Sequence, residues 1–241
     1  MNFIEKSHFL HRALRYRFRS EKFALKYVRR ILREGDVCLD IGANRGLYTY
    51  WMSKYVGISG KVFAFEPQPE MQSELNDVIH AFSLKSVEVV PYALSDVTGT
   101  AQLRRPDNNW GGATLCEDRT ITGKEVTMDV PLVRLEDVVQ EKAITGVKLV
   151  KCDVEGHELG VFRGGESFLK EQKPALIFEC DEGQEENCEV FNYLESIGYE
   201  GFFFHQGLAP IARLPQLLGE IHPKAEKDFI FIHRENVNGQ L

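Results

Sequence analysis

From Val37 onward, short apolar runs that read as strands alternate with amphipathic stretches that read as helices, and this alternation restricts the chain more than any other feature. A strand, a helix and a second strand in succession bury their apolar surface as a parallel sheet covered on both faces. Residues 37–41, 62–65 and 87–90 are the first three strands, separated by helices over 47–55 and 70–82. On the second helix Met71, Leu75, Val78 and Ile79 recur at helical spacing. Residues 95–146 are less regular, with β segments at 100–103 and 126–133, a loop between them containing Asn108-Asn109-Trp110-Gly111-Gly112, and a short helix at 135–140. Alternation then resumes. Strands are expected at 147–152, 175–180, 201–204 and 229–232, with helical pattern at 159–169, interrupted by Gly164-Gly165, and at 187–197. The expected fold is therefore α/β: a Rossmann-like, seven-stranded, mostly parallel sheet with helices on both faces.

The first 34 residues are a different kind of segment. Residues 21–34 place Phe23, Leu25, Tyr27, Val28, Ile31 and Leu32 at helical spacing, and Gly35 closes the helix. The chain divides into a basic helical extension, 1–34, and a main domain, 35–241. Net charge is −7 overall, yet residues 1–35 hold ten Lys and Arg against three Glu. A basic arm of this kind docks anionic surfaces in some proteins. With no stacking platform or nucleic-acid motif beside it, the charge reads as the solvated face of one or two helices, and no nucleic-acid partner is expected.

No apolar run is long enough to span a bilayer, and residues 1–20 lack the continuous apolar stretch of a signal peptide. A cytoplasmic location is expected. The five cysteines are odd in number and show no CxxC spacing, which reads as reduced, mostly buried thiols.

The strongest local motif is Asp40-Ile41-Gly42-Ala43-Asn44-Arg45-Gly46, directly after a strand and before a helix. Glycine there lets the backbone turn tightly and approach a ligand, and the helix behind it offers free N–H groups. Such turns bind nucleotide-like cofactors at the carboxyl edge of a parallel sheet. The dinucleotide fingerprint needs three glycines as GxGxxG, whereas this turn is GxxxG with an aspartate two residues ahead. Glu66 ends the second strand, where a carboxylate can accept hydrogen bonds from both hydroxyls of a ribose. The loop after the third strand, with Tyr92, Ala93 and Leu94, is the candidate border of an adenine.

Six segments together resemble the FkbM family of class I S-adenosyl-L-methionine-dependent methyltransferases. They are 39–49, Phe65-Glu66-Pro67-Gln68-Pro69, Ala93-Leu94-Ser95-Asp96, Val150-Lys151-Cys152-Asp153-Val154-Glu155-Gly156-His157-Glu158, Gly164-Gly165, and Pro174-Ala175-Leu176-Ile177-Phe178-Glu179. The resemblance spans about 37–199. It implies a final antiparallel strand and S-adenosyl-L-methionine as cofactor, held by Asp40, Gly42, Ala43, Asn44, Gly46, Glu66, Pro67, Ala93 and Leu94. It also implies O-methylation of a hydroxyl on a sugar or small-molecule natural product. His157 and Arg45 depart from the residues common in the family.

A hydroxyl is a poor nucleophile while protonated, so a base within hydrogen-bond reach is expected. Asp153, just past the fourth strand, is the first candidate; Glu155 shares its site if the chain stays extended, and two close carboxylates raise one pKa. Lys151 and Glu179 complete the catalytic candidates. Asn109, Trp110 and His157 are candidates for acceptor binding, with His205, Gln206 and Gly207 as further possibilities. The spacing of Asp153, Glu155 and His157 is not a specific metal signature, and no metal is expected. Two other readings stay open: a non-catalytic cofactor-binding module acting through a partner, and an NAD-dependent oxidoreductase.

Overall fold

The computed structural model of the protein describes residues 1–180, 188–204, 207–214 and 228–240. Its main sheet is built from β1 (Val37–Ile41), β2 (Lys61–Phe65), β3 (Val87–Val90), β7 (Val147–Cys152), β8 (Ala175–Glu179), β9 (Tyr199–Phe204), β10 (Leu208–Pro210) and β11 (Asp228–His233). The order is β10-β9-β11-β8-β7-β1-β2-β3. β1 pairs in parallel with β2 and β7, β2 with β3, and β7 with β8, whereas β11 runs antiparallel to both β8 and β9. The seven expected strands are all present; the eighth, β10, is a three-residue edge strand.

Helices cover the faces. α3 (Leu47–Val56) and α4 (Pro69–Phe82) follow β1 and β2, and α5 (Leu135–Glu141), α6 (Glu158–Arg163), α7 (Glu166–Gln172) and α8 (Glu189–Ser196) accompany the second half. α4 and α8 bury one apolar side, whereas α3 is buried on nearly all sides. The break between α6 and α7 falls at Gly164-Gly165. Phe162, Phe178, Phe191, Phe229 and Phe231 form one aromatic cluster, with ring centroids 4.7–6.5 Å apart. Burying an aromatic removes about 150–250 Å² from water, so this cluster holds β8 and β11 to the helices above them.

The irregular middle forms its own sheet of β4 (Ala93–Ser95), β6 (Glu125–Arg134) and β5 (Gly99–Pro106). β5 and β6 pair antiparallel from Gly99↔Leu132 to Pro106↔Glu125, longer than the sequence pattern indicates because their outward faces are polar. The segment between them, with a 3-10 turn at Trp110–Gly112, folds back toward the carboxyl edge of the main sheet.

At the N-terminus α1 (Phe3–Arg15), a π turn (Tyr16–Ser20) and α2 (Lys22–Ile31) pack onto α3. Phe9 lies against Tyr50 and Phe82, with ring centroids 5.5 and 5.3 Å away, and Trp51 Nε1 donates to the carbonyl of Ala13 at 3.0 Å. These helices contribute Phe9, Ala13, Ala24, Leu25, Tyr27 and Val28 to the main core.

Candidate active site

Sheet register alone brings the chemistry together. Ile41 pairs with Phe65 and with Cys152, and Cys152 pairs with Phe178. The residues one step beyond these strand positions are Glu66, Gly42, Asp153 and Glu179, so they form a row along the carboxyl edge. Asp228 extends the row, because it pairs with Glu179 across the antiparallel β8–β11 ladder.

Two neighbouring cavities that share lining residues lie over this row. The larger, about 460 Å³, is lined by the Gly42–Arg45 turn, the 108–112 loop, Lys151, Asp153, Glu155, Glu179 and Asp228. The smaller, about 60 Å³, is lined by Phe65, Glu66, Pro67, Gln68, Tyr92, Ala93 and Leu94. Gly42, Asn44, Gly111, Asp153 and Glu155 border both. Together their volume falls in the range of small-molecule sites, roughly 300–1,000 Å³.

The Gly42 turn is shaped by backbone contact. Gly42 has φ +75°, and a Cβ there would stand 1.9 Å from the carbonyl oxygen of Asp153. Glycine is thus the residue that lets the ends of β1 and β7 touch, where Asp153 N donates to Ile41 O at 3.0 Å. Beside the turn, Glu66 is buried, and its two oxygens accept from Asn44 N at 2.8 Å and Gln68 N at 2.9 Å. Burial raises its pKa, while these two backbone donors oppose the rise. Each carboxylate oxygen keeps further acceptor capacity on the cavity side. Gln68 in turn donates through Nε2 to the Trp110 carbonyl at 3.1 Å, and the buried Arg105 guanidinium lies 3.9 Å from the Trp110 ring centroid. The 108–112 loop is pinned over the cleft by these contacts.

In the larger cavity Lys151 is the buried centre. Its ammonium lies 3.1 Å from Asp153 Oδ2, 3.9 Å from Asp40 Oδ1 and 4.9 Å from the Tyr48 ring centroid. Burial works against its charge, but Asp153 and Asp40 outweigh burial and hold Lys151 above the ordinary lysine value. The expected Asp153–Glu155 carboxylate pair does not form. Glu155 takes a left-handed φ of +55°, and its carboxylate meets Arg119 at 2.5 Å. Its carbonyl accepts from Thr114 Oγ1 at 2.7 Å, which ties the loop after β7 to the small sheet.

Three expected contact residues stand behind the cavity surface. Asp40 is fully buried, accepts from Thr49 Oγ1 at 2.5 Å, and reaches the cleft only through Lys151. Gly46 lines neither cavity; at φ +77° it opens α3 and packs against Leu75. His157 also lines neither: its Nε2 is 2.9 Å from Ser95 Oγ, and burial lowers its pKa. Asp153, Glu155 and His157 therefore do not converge, and among the described residues no group of three or more His, Cys, Asp or Glu has the arrangement of a metal site. Gly207 lines neither cavity, and His205 and Gln206 lie outside the described residues. Arg45 borders the larger cavity and pairs with Glu74 at 2.9 Å.

Several lining residues have no signal in the sequence. Arg12, Tyr16 and Glu21 come from the N-terminal helices, and Tyr48 donates to Glu21 at 3.1 Å. Leu103, Ala113 and Leu115 reach the smaller cavity from the β5–β6 unit. Asp228 has its pKa raised well above the usual carboxylate range, first by burial and then by Glu21, Glu179 and Asp153. Glu158 is the hidden organiser of the β7 loop: its Oε1 accepts from Val154 N at 3.0 Å and Gly156 N at 3.3 Å.

Glu158 is pushed up to about 7, chiefly by burial. Because its folded value exceeds its ordinary one, its contribution to stability is full at acid pH and is lost as pH rises toward 7. Glu158→Gln keeps an acceptor oxygen and removes the charge. Relative to this variant, the wild type is expected to lose about 2–3 kcal/mol between pH 5 and 8, measured by urea unfolding. Parallel pH profiles for the two proteins would refute the assignment.

The match to the methyltransferase FkbM domain covers residues 40–200, two thirds of the chain. Methyltransferase sdnD of Sordaria araneosa is 28% identical over 189 residues, covering 67% of this chain and 73% of that protein. The 31-O-demethyl-FK506 methyltransferase FkbM of Streptomyces tacrolimicus is 31% identical over 166 residues, covering 56% of this chain and 61% of that one. A crystal structure of methyltransferase FkbM from Methylobacillus flagellatus has the same fold, with a TM-score of 0.55 at 14% identity over 87% of this chain and 50% of that one. The chain thus spans between half and three quarters of the length of these proteins. With its sheet order, its Gly42 turn and the domain match over residues 40–200, this chain belongs to the FkbM methyltransferase family.

Proposed function

We propose that the protein is an S-adenosyl-L-methionine-dependent methyltransferase that O-methylates a hydroxyl on a sugar or small-molecule natural product. The observation that carries this reading is the edge row in which Glu66 borders the smaller cavity, Lys151, Glu179 and Asp228 border the larger one, and Gly42 and Asp153 border both. The end of the cleft at Glu66 is assigned to the adenosine, with Glu66 for the ribose hydroxyls, Phe65, Ala93, Leu94 and Leu103 beside the base, and the adjoining larger cavity supplying most of the room. The turn Gly42-Ala43-Asn44, which lines the larger cavity, is assigned to the methionine part.

When bound, S-adenosyl-L-methionine supplies an electrophilic methyl group on a sulfonium. The protein's part is then positional and basic. With the cofactor bound, the cleft would hold the acceptor hydroxyl within reach of Asp153, which would take the hydroxyl proton as the oxygen gains the methyl group and S-adenosylhomocysteine leaves. Asp153, held in place by Lys151, is the assigned acceptor of that proton. Holding the reacting atoms in line can supply a large share of the rate, roughly 7–11 kcal/mol in favourable cases. Asn109 and Trp110 border the larger cavity and are the assigned contacts to the acceptor, a pairing of amide and ring that suits a hydroxylated ring. The O-methylating activity named for the Streptomyces tacrolimicus relative supports an oxygen acceptor.

Incubation with methyl-labelled S-adenosyl-L-methionine and a panel of hydroxylated sugars and macrolides tests the reading. Label in an ether-linked methyl group of one acceptor is the expected result. Cofactor binding without transfer to any acceptor would favour the non-catalytic module, and hydride transfer from NADH would favour the oxidoreductase.

A further inference from the structure

We propose that the N-terminal helix is an interfacial anchor that docks the protein on the surface of an anionic lipid bilayer. Among the described residues six large apolar side chains are exposed, and four of them, Phe3, Ile4, Leu14 and Phe18, lie in the first 18 residues. Phe3, Phe18, Ile4 and Leu14 are 85%, 64%, 64% and 46% exposed. Their spacing puts them on one side of α1 and its π-turn extension, away from the buried Phe9 and Ala13, as two clusters, Phe3/Ile4 and Leu14/Phe18, with the exposed Ser7 and His11 between them. The helix therefore carries large apolar side chains on two sides. One side is consumed by the fold, and the other is spread in solvent.

Charge identifies what covers it. Arg15, Arg19, Lys22 and Lys26 are exposed along the same segment, and among the described residues none of them is held in an ion pair. The first 35 residues carry ten Lys and Arg against three Glu, while the remainder carries 19 against 33. A short apolar stripe flanked by cations, on a chain that is otherwise acidic, fits an interface of acyl chains beneath negative headgroups. No helix among the described residues is long and apolar enough to cross a membrane, so the association lies in the interface plane. Arg12, Tyr16 and Glu21 of the same segment border the larger cavity, which therefore lies about one helix diameter, ~10 Å, from the docking stripe.

The test is co-sedimentation of the full chain with vesicles of phosphatidylcholine alone and of phosphatidylcholine mixed with phosphatidylglycerol. Binding is expected only to the mixed vesicles and is expected to weaken as salt rises. Phe3→Ser/Ile4→Ser/Phe18→Ser and, separately, Arg15→Glu/Arg19→Glu should each reduce the bound fraction by about tenfold or more, with circular dichroism and thermal midpoint unchanged. Three results would overturn the proposal: no binding to mixed vesicles, binding retained in both variants, or a concentration-dependent dimer in sedimentation that the triple variant abolishes, which would assign the stripe to a second copy of the chain.

Discussion

Asp153→Asn is expected to bind S-adenosyl-L-methionine nearly as well as wild type while methyl transfer falls by about 10²–10⁴-fold, the usual worth of a positioned proton acceptor. Asparagine is a better probe than alanine because Lys151 is buried and takes Asp153 as its nearest anion at 3.1 Å. Alanine would leave that ammonium with Asp40 at 3.9 Å, and stripping a partner from a buried charge costs about 3–5 kcal/mol of stability. Asparagine keeps an oxygen for Lys151 to donate to and removes the basic site alone. Single-turnover transfer beside calorimetric cofactor binding separates the two effects. Asp228→Asn is the companion variant, since Asp228 lines the same cavity on the same edge row, and burial and its three carboxylate neighbours raise its pKa. Full turnover in Asp153→Asn with loss in Asp228→Asn would move the proton to Asp228.

The second large effect is structural. Gly42→Ala is expected to destabilise the protein by about 2–5 kcal/mol and to abolish cofactor binding. An alanine at φ +75° carries a left-handed penalty of ~1–2 kcal/mol, and overpacking adds ~1–3 kcal/mol. The added carbon would stand 1.9 Å from the Asp153 carbonyl oxygen, which is backbone and cannot rotate away. Relief requires separating the ends of β1 and β7, and that separation displaces Asp153 from the cleft. Gly46→Ala is the control. It has nearly the same φ, +77°, but its new carbon meets Leu75 Cδ1 at 2.5 Å, the end of a side chain that can turn aside. Urea unfolding should rank Gly42→Ala clearly below Gly46→Ala; equal losses would show that backbone strain alone governs the turn.

The contrast between these glycines bears on what is legible in a sequence of this kind. The strands at 37–41, 87–90 and 147–152 match the observed β1, β3 and β7 to the residue; β1 and β7 are central, largely buried strands, and β3 is a half-buried edge strand whose short apolar run is still bounded by turns. The edge row follows from such runs, since strand ends in a parallel sheet align. Partnership among charged side chains does not follow. Glu155 and Asp153 sit two apart in sequence, but the left-handed turn at Glu155 sends it to Arg119 on a loop 36 residues away. His157 looks like a site residue by position and is instead a half-buried partner of Ser95. The contributions of Arg12, Tyr16, Glu21 and Asp228 depend on how distant elements pack, and no local pattern marks them.

Cofactor binding is the most direct measurement. Calorimetry with S-adenosyl-L-methionine, S-adenosylhomocysteine and NAD on the wild type and on Glu66→Ala should give micromolar binding of the first two, none of NAD, and binding weakened by about tenfold or more in the variant, which loses the carboxylate assigned to the ribose hydroxyls. Absence of binding by both sulfur ligands, or a preference for NAD, would contradict the assignment of the cleft.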